Sequence, residues 1–296
     1  MARIKVGFIG CGEVGSTFAK TMLEKGAEIA VYDILLSQTE GERIIQSRLK
    51  ADGIHFCSLI ELIKKSDYIL SAVTTQTAKD VAKACKEHLK QNQIYIDLNS
   101  TSPKEKVHLS KIIEVSGCHF VEGAILGAVG ATGSRTRILV TGEKGKQVAE
   151  TLTKLGLNVS YYAPEIGKAS MFKMLRSIFS KGLENIILEL LVAGKRAGIE
   201  KDLWEDIIDF MSQKSFATIA SNWVQTHAVA YERRYHEMVQ VVETMLEIGI
   251  EPIMTVGTEA FFKRSLSLGF QEKFSEKPDS FEAVVDFMEN QLRGAK

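Results

Sequence analysis

A glycine-rich run near the start of the chain has the residue types and the spacing that bind phosphate groups. It reads Gly10-Cys11-Gly12-Glu13-Val14-Gly15, follows an apolar stretch and precedes a helical pattern from Ser16 to Lys25. The first glycine allows a tight turn, the second admits a pyrophosphate close to the backbone, and the third lets helix and strand pack closely. Unpaired N–H groups at the helix start face the phosphates. We therefore predict a dinucleotide site that includes all six residues.

Asp33 stands at the end of the second apolar stretch, eighteen positions after Gly15. A carboxylate there accepts hydrogen bonds from both hydroxyls of the adenosine ribose and repels the additional phosphate of NADP. We therefore expect NAD as the cofactor, with NADP possible. The alternative for Asp33 is a turn residue without a ligand. Arg43 lies beyond the expected contact region unless a folded loop returns it.

Mostly polar residues stand at or just after the ends of the next two predicted strands, at the sheet edge where ligands of open α/β folds bind. The candidate contacts are Val73, Thr74, Thr75, Asn99, Ser100 and Thr101. The first three could line the nicotinamide side of the cofactor or form a plain turn. Asn99 could contact cofactor or substrate, and its two neighbours offer hydroxyls to a substrate. Ser100 or Thr101 could also cap a helix with Pro103 near its first position, and both interpretations can hold together.

A third loop belongs to the segment Glu122-Gly123-Ala124-Ile125-Leu126-Gly127-Ala128. The small residues Gly127 and Ala128 leave backbone N–H groups open to an anionic oxygen. We therefore expect them to contact an anionic substrate.

A helix beginning near Gly167 carries a lysine that could transfer a proton. Lys173, Arg176 and Ser177 are spaced i, i+3 and i+4, so they share one face of that helix. Arg176 could clamp a carboxylate or phosphate, or form a structural ion pair. A nearby cation and shielding from water would disfavour the charged lysine and help it accept a hydroxyl proton. A solvated surface lysine is the alternative.

The order of these motifs resembles the β-hydroxyacid dehydrogenases over essentially the whole chain. The glycine run, Asp97-Leu98-Asn99-Ser100-Thr101-Ser102-Pro103, the EGAILGA loop and a helix-borne lysine after Ile166-Gly167-Lys168-Ala169 carry the resemblance. That superfamily includes 3-hydroxyisobutyrate dehydrogenase and 6-phosphogluconate dehydrogenase. The resemblance implies that Lys173 is the acid/base catalyst.

The substrate end departs from the family pattern. Arg176 and Ser177 replace the usual asparagine pair or histidine and asparagine, Asn99 replaces a serine, and Leu126-Gly127-Ala128 replaces serine-glycine-glycine. Leu126 suggests a bulkier or partly apolar substrate. His236, beside Arg233 and Arg234, lies where the family has a lysine–aspartate pair and is a further substrate-contact candidate. The two arginines diverge by about 100° around a helix, so one of them is expected at the surface.

Alternating strands and helices must position these residues. Near-continuous apolar runs predict strands at Val6–Ile9, Glu28–Tyr32, Tyr68–Val73, Ile94–Leu98, His119–Ala124 and Ile138–Thr141. Burial on both faces of such strands indicates an α/β fold with a mostly parallel, doubly wound Rossmann sheet. After Pro164 the pattern is helical. We predict an NAD-binding domain at 1–163 and an all-helical substrate and oligomerisation domain at 164–296. An apolar helical surface favours a homodimer or higher homo-oligomer.

Composition excludes several classes of protein. The 37 Lys and Arg balance 37 Asp and Glu, so no positive field gathers nucleic acid or an anionic membrane. The four cysteines are scattered, which suggests neither a disulfide framework nor a metal cluster and fits a cytoplasmic protein. No apolar stretch approaches the roughly 20 residues of a membrane span.

These observations predict an NAD(P)-dependent oxidation of the hydroxyl of a β-hydroxy acid or related sugar acid, with Lys173 as acid/base. Loss of CO2 after oxidation stays open. The alternatives are an imine or ketone reductase on the same scaffold and a sensor that binds NAD without turnover.

Overall fold

An eight-stranded sheet forms the first half of the protein in the computed structural model, which describes residues 3–294. Its strands are β1 (Lys5–Ile9), β2 (Glu28–Tyr32), β3 (Ile54–Phe56), β4 (Tyr68–Ser71), β5 (Ile94–Asp97), β6 (His119–Ile125), β7 (Ile138–Thr141) and β8 (Val159–Ala163). They lie in the order β3-β2-β1-β4-β5-β6-β7-β8. All neighbours pair in parallel except β6 and β7. The predicted fold class is confirmed.

Seven helices connect these strands. They are α1 (Glu13–Glu24), α2 (Thr39–Arg48), α3 (Leu59–Lys65), α4 (Ala78–Lys86), α5 (Pro103–Glu114), α6 (Val129–Thr132) and α7 (Gly145–Lys154). Buried apolar side chains form a separate core cluster on each face of the sheet, one with Phe8, Phe18 and Val31 and the other with Ile9, Ile69 and Tyr95. Burial on both faces explains why the strands are almost continuously apolar.

The sequence identified six of the eight strands. It missed β3, whose three residues include the exposed His55, and β8, where polar and half-buried residues blur the pattern. β4 ends at Ser71, two residues before the predicted end, because the chain turns there into the loop that follows.

After β8, the described part of the chain is helical, as predicted. The helices are α8 (Lys168–Ala197), α9 (Glu200–Ser212), α10 (Phe216–Glu247), α11 (Ile253–Ser265), α12 (Phe270–Lys273) and α13 (Phe281–Gly294). The chain divides into two compact units within α8, the first ending at Ile178 and the second beginning at Phe179. No helix among residues 3–294 combines the length and apolar character needed to cross a membrane.

The second unit has its own small core. Ala228, Tyr231, Phe270 and Val284 are buried together. Glu189 of α8 accepts hydrogen bonds from the backbone N–H groups of Met254 and Thr255 and so caps the start of α11.

Candidate active site

The predicted glycine turn joins β1 to α1. Gly10 has φ +93°, and a Cβ there would lie 2.4 Å from the Ala72 carbonyl oxygen. A Cβ on Gly15 would lie 2.0 Å from the Gly10 carbonyl oxygen, whereas Gly12 faces open space. Gly12 is the residue before α1, and no side chain caps that helix. The turn therefore leaves room and free backbone N–H groups for a phosphate, as the spacing of the glycines indicates.

Asp33 ties the end of β2 to this turn. Its Oδ2 accepts the Cys11 backbone N–H at 2.7 Å, and its Oδ1 accepts the Leu35 backbone N–H at 3.0 Å. Each carboxylate oxygen can accept more than one hydrogen bond, so both still have capacity for ribose hydroxyls. The Cys11 side chain is fully buried in the core, so this residue can reach a cofactor only through its backbone.

A cavity of about 500 Å³ opens beside Asp33. Gly12, Thr74 and Arg48 also line it. Arg48, at the end of α2, was not identified from the sequence. Arg43 instead is three-quarters exposed and pairs with Glu40 at 3.8 Å. The spacing alone could not distinguish the two arginines, because the path of the chain between β2 and β3 decides which one returns to the cavity beside Asp33.

A second cavity of about 590 Å³ gathers most of the remaining predicted residues. Its lining includes Glu13, Val14, Val73, Thr74, Thr75, Asn99, Ser100, Gly127, Ala128 and Lys173. The loops after β4, β5 and β6 all reach it, together with the start of α1 and the first turns of α8. The two cavities share Glu13, Val14 and Val73, so they are neighbouring parts of one cleft at the carboxyl edge of the sheet.

Lys173 projects into this second cavity from α8. Its Nζ donates a hydrogen bond to Ser100 Oγ at 2.6 Å. The start of α8 is fixed by Glu122, a fully buried residue of β6. The Glu122 carboxylate accepts the backbone N–H groups of Gly167 at 2.5 Å and Ser170 at 2.6 Å. Glu122 therefore holds the helix that carries the lysine.

Asn99 is buried beneath the cavity. Its Oδ1 accepts the Val73 backbone N–H at 2.7 Å, and its Nδ2 donates to Ser71 Oγ and to Asp97 Oδ1. The amide group is thus engaged in holding the loop after β4. Thr75 Oγ1 donates to the Ser100 carbonyl at 3.2 Å and links the same two loops.

Asp97 forms a buried ion pair that the sequence analysis missed. Lys106 Nζ donates to Asp97 Oδ2 at 2.8 Å and to the Asp97 carbonyl at 2.9 Å, and both side chains are 1% exposed. A buried lysine must be paired. The only sequence signal was its position on the face of α5 that also carries Leu109 and Ile113.

The cap of α5 differs from both predicted alternatives. Ser102, rather than Ser100 or Thr101, accepts the Glu105 backbone N–H, and Pro103 takes the first helical position as expected. Thr101 is 3% exposed, and its hydroxyl is the buried polar side-chain atom that lacks a hydrogen-bond partner among residues 3–294. A contact between Thr101 and a substrate stays a prediction.

Three residues of the predicted substrate end take other positions. Leu126 packs against Leu139 and Ala169 in a small core and does not line the described cavity, so its effect on substrate size stays a prediction. The Ser177 hydroxyl donates to the Lys173 carbonyl at 3.0 Å. Within the described part of the chain, neither Ser177 nor the exposed Arg176 lines the cavity that holds Lys173. Their substrate contacts stay predictions.

His236 lies on α10 in the second unit, where it is exposed and next to the Tyr235 ring. Arg233 is two-thirds exposed and pairs with Glu237, whereas Arg234 turns inward and donates to Thr226 Oγ1 at 2.8 Å. One arginine of the pair is thus at the surface, as expected. A role for His236 in substrate binding stays a prediction.

Comparison with known protein families assigns most of the chain. Residues 5–163 match the NAD binding domain of 6-phosphogluconate dehydrogenase. Residues 195–265 match a domain family of unknown function.

Three curated relatives span most of the chain. An uncharacterised 28.5 kDa protein of Methanothermus fervidus is 30% identical over 88% of this chain and 98% of its own. Glyoxylate/succinic semialdehyde reductase 1 of Arabidopsis thaliana is 24% identical over 90% of this chain and 94% of its own. Human mitochondrial 3-hydroxyisobutyrate dehydrogenase is 25% identical over 75% of this chain and 66% of its own.

Solved structures share the fold. A conserved protein of unknown function, described as structurally similar to 3-hydroxyacid dehydrogenases, is 30% identical with a TM-score of 0.59, covering 88% of this chain and 96% of its own. An imine reductase from Bacillus cereus has a TM-score of 0.75 at 16% identity, covering 97% of this chain and 100% of its own. At that identity the second likeness concerns the fold alone.

Proposed function

Since residues 5–163 belong to the family of the NAD-binding domain of 6-phosphogluconate dehydrogenase, and the chain to the β-hydroxyacid dehydrogenase superfamily, we propose that the protein oxidises a β-hydroxy acid or related sugar acid. An NAD(P)-dependent oxidoreductase of the hydroxyacid dehydrogenase type is the broader class. The Lys173–Ser100 hydrogen bond at the cavity carries the proposal, because it couples a proton-transfer group to a substrate-sized space beside the dinucleotide turn.

The glycine turn fits the cofactor. Only a residue without a Cβ leaves the backbone at Gly12 open, and the uncapped start of α1 offers N–H groups to a pyrophosphate. Asp33 would hold the ribose and the loop 73–75 would flank the nicotinamide. Bound there, NAD(P) supplies the hydride acceptor for oxidation or the hydride donor for the reverse reduction.

Lys173 acts on the hydroxyl of the substrate in this proposal. In oxidation its amine accepts the hydroxyl proton at Nζ, and in reduction its ammonium returns a proton to the carbonyl oxygen. Ser100 Oγ, at 2.6 Å, holds Nζ toward the cavity and can share the proton. The backbone at Gly127 and Ala128 offers N–H groups to the substrate anion.

Substitution of Lys173 tests this function. We expect Lys173→Ala to lower turnover by roughly 10²–10⁴-fold while leaving NAD affinity nearly unchanged, because Lys173 transfers the proton and does not hold the dinucleotide. Lys168→Ala, an exposed lysine of the same helix, is the matched control. NADH absorbance with a panel of 3-hydroxy acids and sugar acids measures turnover, and cofactor fluorescence measures binding. An unchanged rate in Lys173→Ala would refute the mechanism.

The same assay, with cyclic imines and the corresponding carbonyl compounds added to the panel, separates the alternative functions. Turnover of cyclic imines at rates above those of the corresponding carbonyl compounds would favour the imine reductase, whose fold this chain shares. Binding of NAD without turnover of any class of substrate would favour the sensor.

Cofactor choice rests on Asp33 and Arg48 together. The Asp33 carboxylate disfavours the additional phosphate of NADP, whereas the Arg48 guanidinium in the same cavity could bind it. We propose that NAD is preferred and that Arg48 carries the residual affinity for NADP. Arg48→Ala should then weaken NADP more than NAD, with Arg43→Ala as the control. Tighter binding of NADP than of NAD by the unchanged protein would contradict the assignment of Asp33.

The second unit supports self-association in this proposal. Its long helices leave large apolar side chains exposed, among them Ile186 and Val192 of α8 and Trp223 of α10. Exposed apolar surface on this scale needs a partner, and a second copy of the chain is the partner always present.

A further inference from the structure

A cluster of three potential metal ligands lies at the β3 edge of the sheet, apart from the dinucleotide turn. His55 and Cys57 are two positions apart on and just beyond β3, so they point to the same face of the sheet. Glu61 is in the first turn of α3. The His55 imidazole, Cys57 Sγ and a Glu61 carboxylate oxygen all lie within 4.8 Å of one another.

Two of these ligands already share a cation. Lys65 lies one turn after Glu61 on α3, and its Nζ lies 2.9 Å from Glu61 Oε1 and 3.0 Å from His55 Nε2. His55 Nε2 also lies 2.9 Å from Glu61 Oε1, so the imidazole, the carboxylate and the ammonium form one polar cluster. A metal would bind the neutral imidazole and the ionised carboxylate.

Cys57 supplies the third, softer ligand. A metal binds cysteine as the thiolate, so binding would release the Cys57 thiol proton to solvent. Ligand atoms of a tetrahedral zinc site are about 3.5 Å apart, so a movement of roughly 1 Å brings Sγ into range. Lys65 is half exposed and can withdraw its flexible side chain into solvent.

We propose that His55, Cys57 and Glu61 form a binding site for a borderline-soft divalent cation of the Zn²⁺ class, which takes the position of the Lys65 ammonium. A nitrogen, a sulfur and an oxygen ligand fit Zn²⁺ better than Mg²⁺ or Ca²⁺, which prefer oxygen alone. A solvent molecule would complete the coordination.

Such a cation would join the edge strand to the neighbouring helix. β3 has only three residues and pairs with β2 alone. The backbone N–H of Cys57 donates to the Val31 carbonyl at 3.1 Å, two residues before Asp33. The site is therefore structural, at the margin of the ribose-binding strand, and takes no part in hydride transfer.

Titration of the reduced, tag-free full chain with Co²⁺ tests the site, because cobalt–thiolate charge transfer absorbs in the near ultraviolet. We expect this band to saturate at one equivalent, to disappear in Cys57→Ser, and to weaken strongly in His55→Ala. Cys118→Ser is the matched control and should keep the band. Lys65→Ala should tighten binding by roughly two- to fivefold, because the competing ion pair is lost, whereas Lys64→Ala should not.

Thiol modification provides a measurement on the unaltered chain. Cys57 is half-buried and the other three cysteines are buried, so one thiol should react first. Stoichiometric Zn²⁺ should slow that reaction at least tenfold, and Mg²⁺ should not. Absence of a band in the unaltered chain, a band that persists in Cys57→Ser, or equal reactivity with and without Zn²⁺ would overturn the site.

Discussion

The buried pair between Lys106 and Asp97 gives a quantitative test of how the active-site loops are held. Lys106→Met removes the charge while keeping an apolar side chain of similar length in a position that is 1% exposed. The Asp97 carboxylate would lose its ion pair and the hydrogen bond from Nζ. Asn99, which donates to Asp97 and accepts from Val73, would lose a fixed partner.

The structure sets the size of the effect. At 2.8 Å the pair attracts by about 6 kcal/mol for an effective dielectric constant of about 20. Removing Lys106 also removes the cost of burying its ammonium, which offsets part of this attraction. We therefore expect the free energy of unfolding to fall by about 3–5 kcal/mol, the usual result of leaving a buried charge unpaired. The loop at Val73 would also be held less firmly, and we expect the affinity for NAD to fall by roughly fivefold, the effect of losing about one hydrogen bond.

Urea unfolding followed by circular dichroism measures the first quantity, and cofactor fluorescence measures the second. Lys104→Met, an exposed lysine on the same helix, is the matched control and should change stability by less than about 0.5 kcal/mol. The double variant Lys106→Met/Asp97→Asn removes both charges and should recover much of the lost stability. Equal losses of stability in Lys106→Met and Lys104→Met would refute the reasoning. So would additive effects, in which the double variant loses as much stability as Lys106→Met and Asp97→Asn together.

Three further predictions concern the helix that carries Lys173 and the second unit. Glu122→Gln places an amide nitrogen against the N–H donor of Gly167 or of Ser170, so it should lower the free energy of unfolding by about 2–4 kcal/mol. It should also lower turnover, measured by kinetics, more than the affinity for NAD, measured by cofactor fluorescence. Burial, with a contribution from Arg234, lowers the pKa of His227 from 6.5 to about 4, so between these pH values the unfolded state binds one more proton than the folded state. The contribution of His227 to the free energy of unfolding should therefore be fully present above pH 6.5 and fall by about 2–3 kcal/mol as the pH falls to 4. His227→Gln should flatten this pH dependence in urea titrations. Sedimentation of the full chain should give a dimer or a larger species, and the double variant Ile186→Glu/Val192→Glu should shift the protein towards the monomer. A monomer at micromolar concentration in the unaltered protein would contradict self-association.

The sequence located the glycine turn between β1 and α1 because the signals for such a turn are local. A glycine turn, a strand and a helix start are consecutive in the chain, so Gly10, Gly12 and Gly15 could be assigned from their spacing. Lys173 needed the resemblance to the family as well, because a lysine on a helix face is usually solvated.

Tertiary structure decided the contacts between residues distant in sequence. The fold buries the Asn99 amide beneath the loop at Val73, directs Leu126 into a core, and brings Arg48 rather than Arg43 to Asp33. It also pairs Lys106 with Asp97 and aligns Lys65 with His55. Local spacing determines a turn because its atoms are covalently close. Which distant side chains meet depends on how strands and helices pack. The sequence by itself therefore determined the glycine turn, whereas only the folded sheet assembled the rest of the cleft.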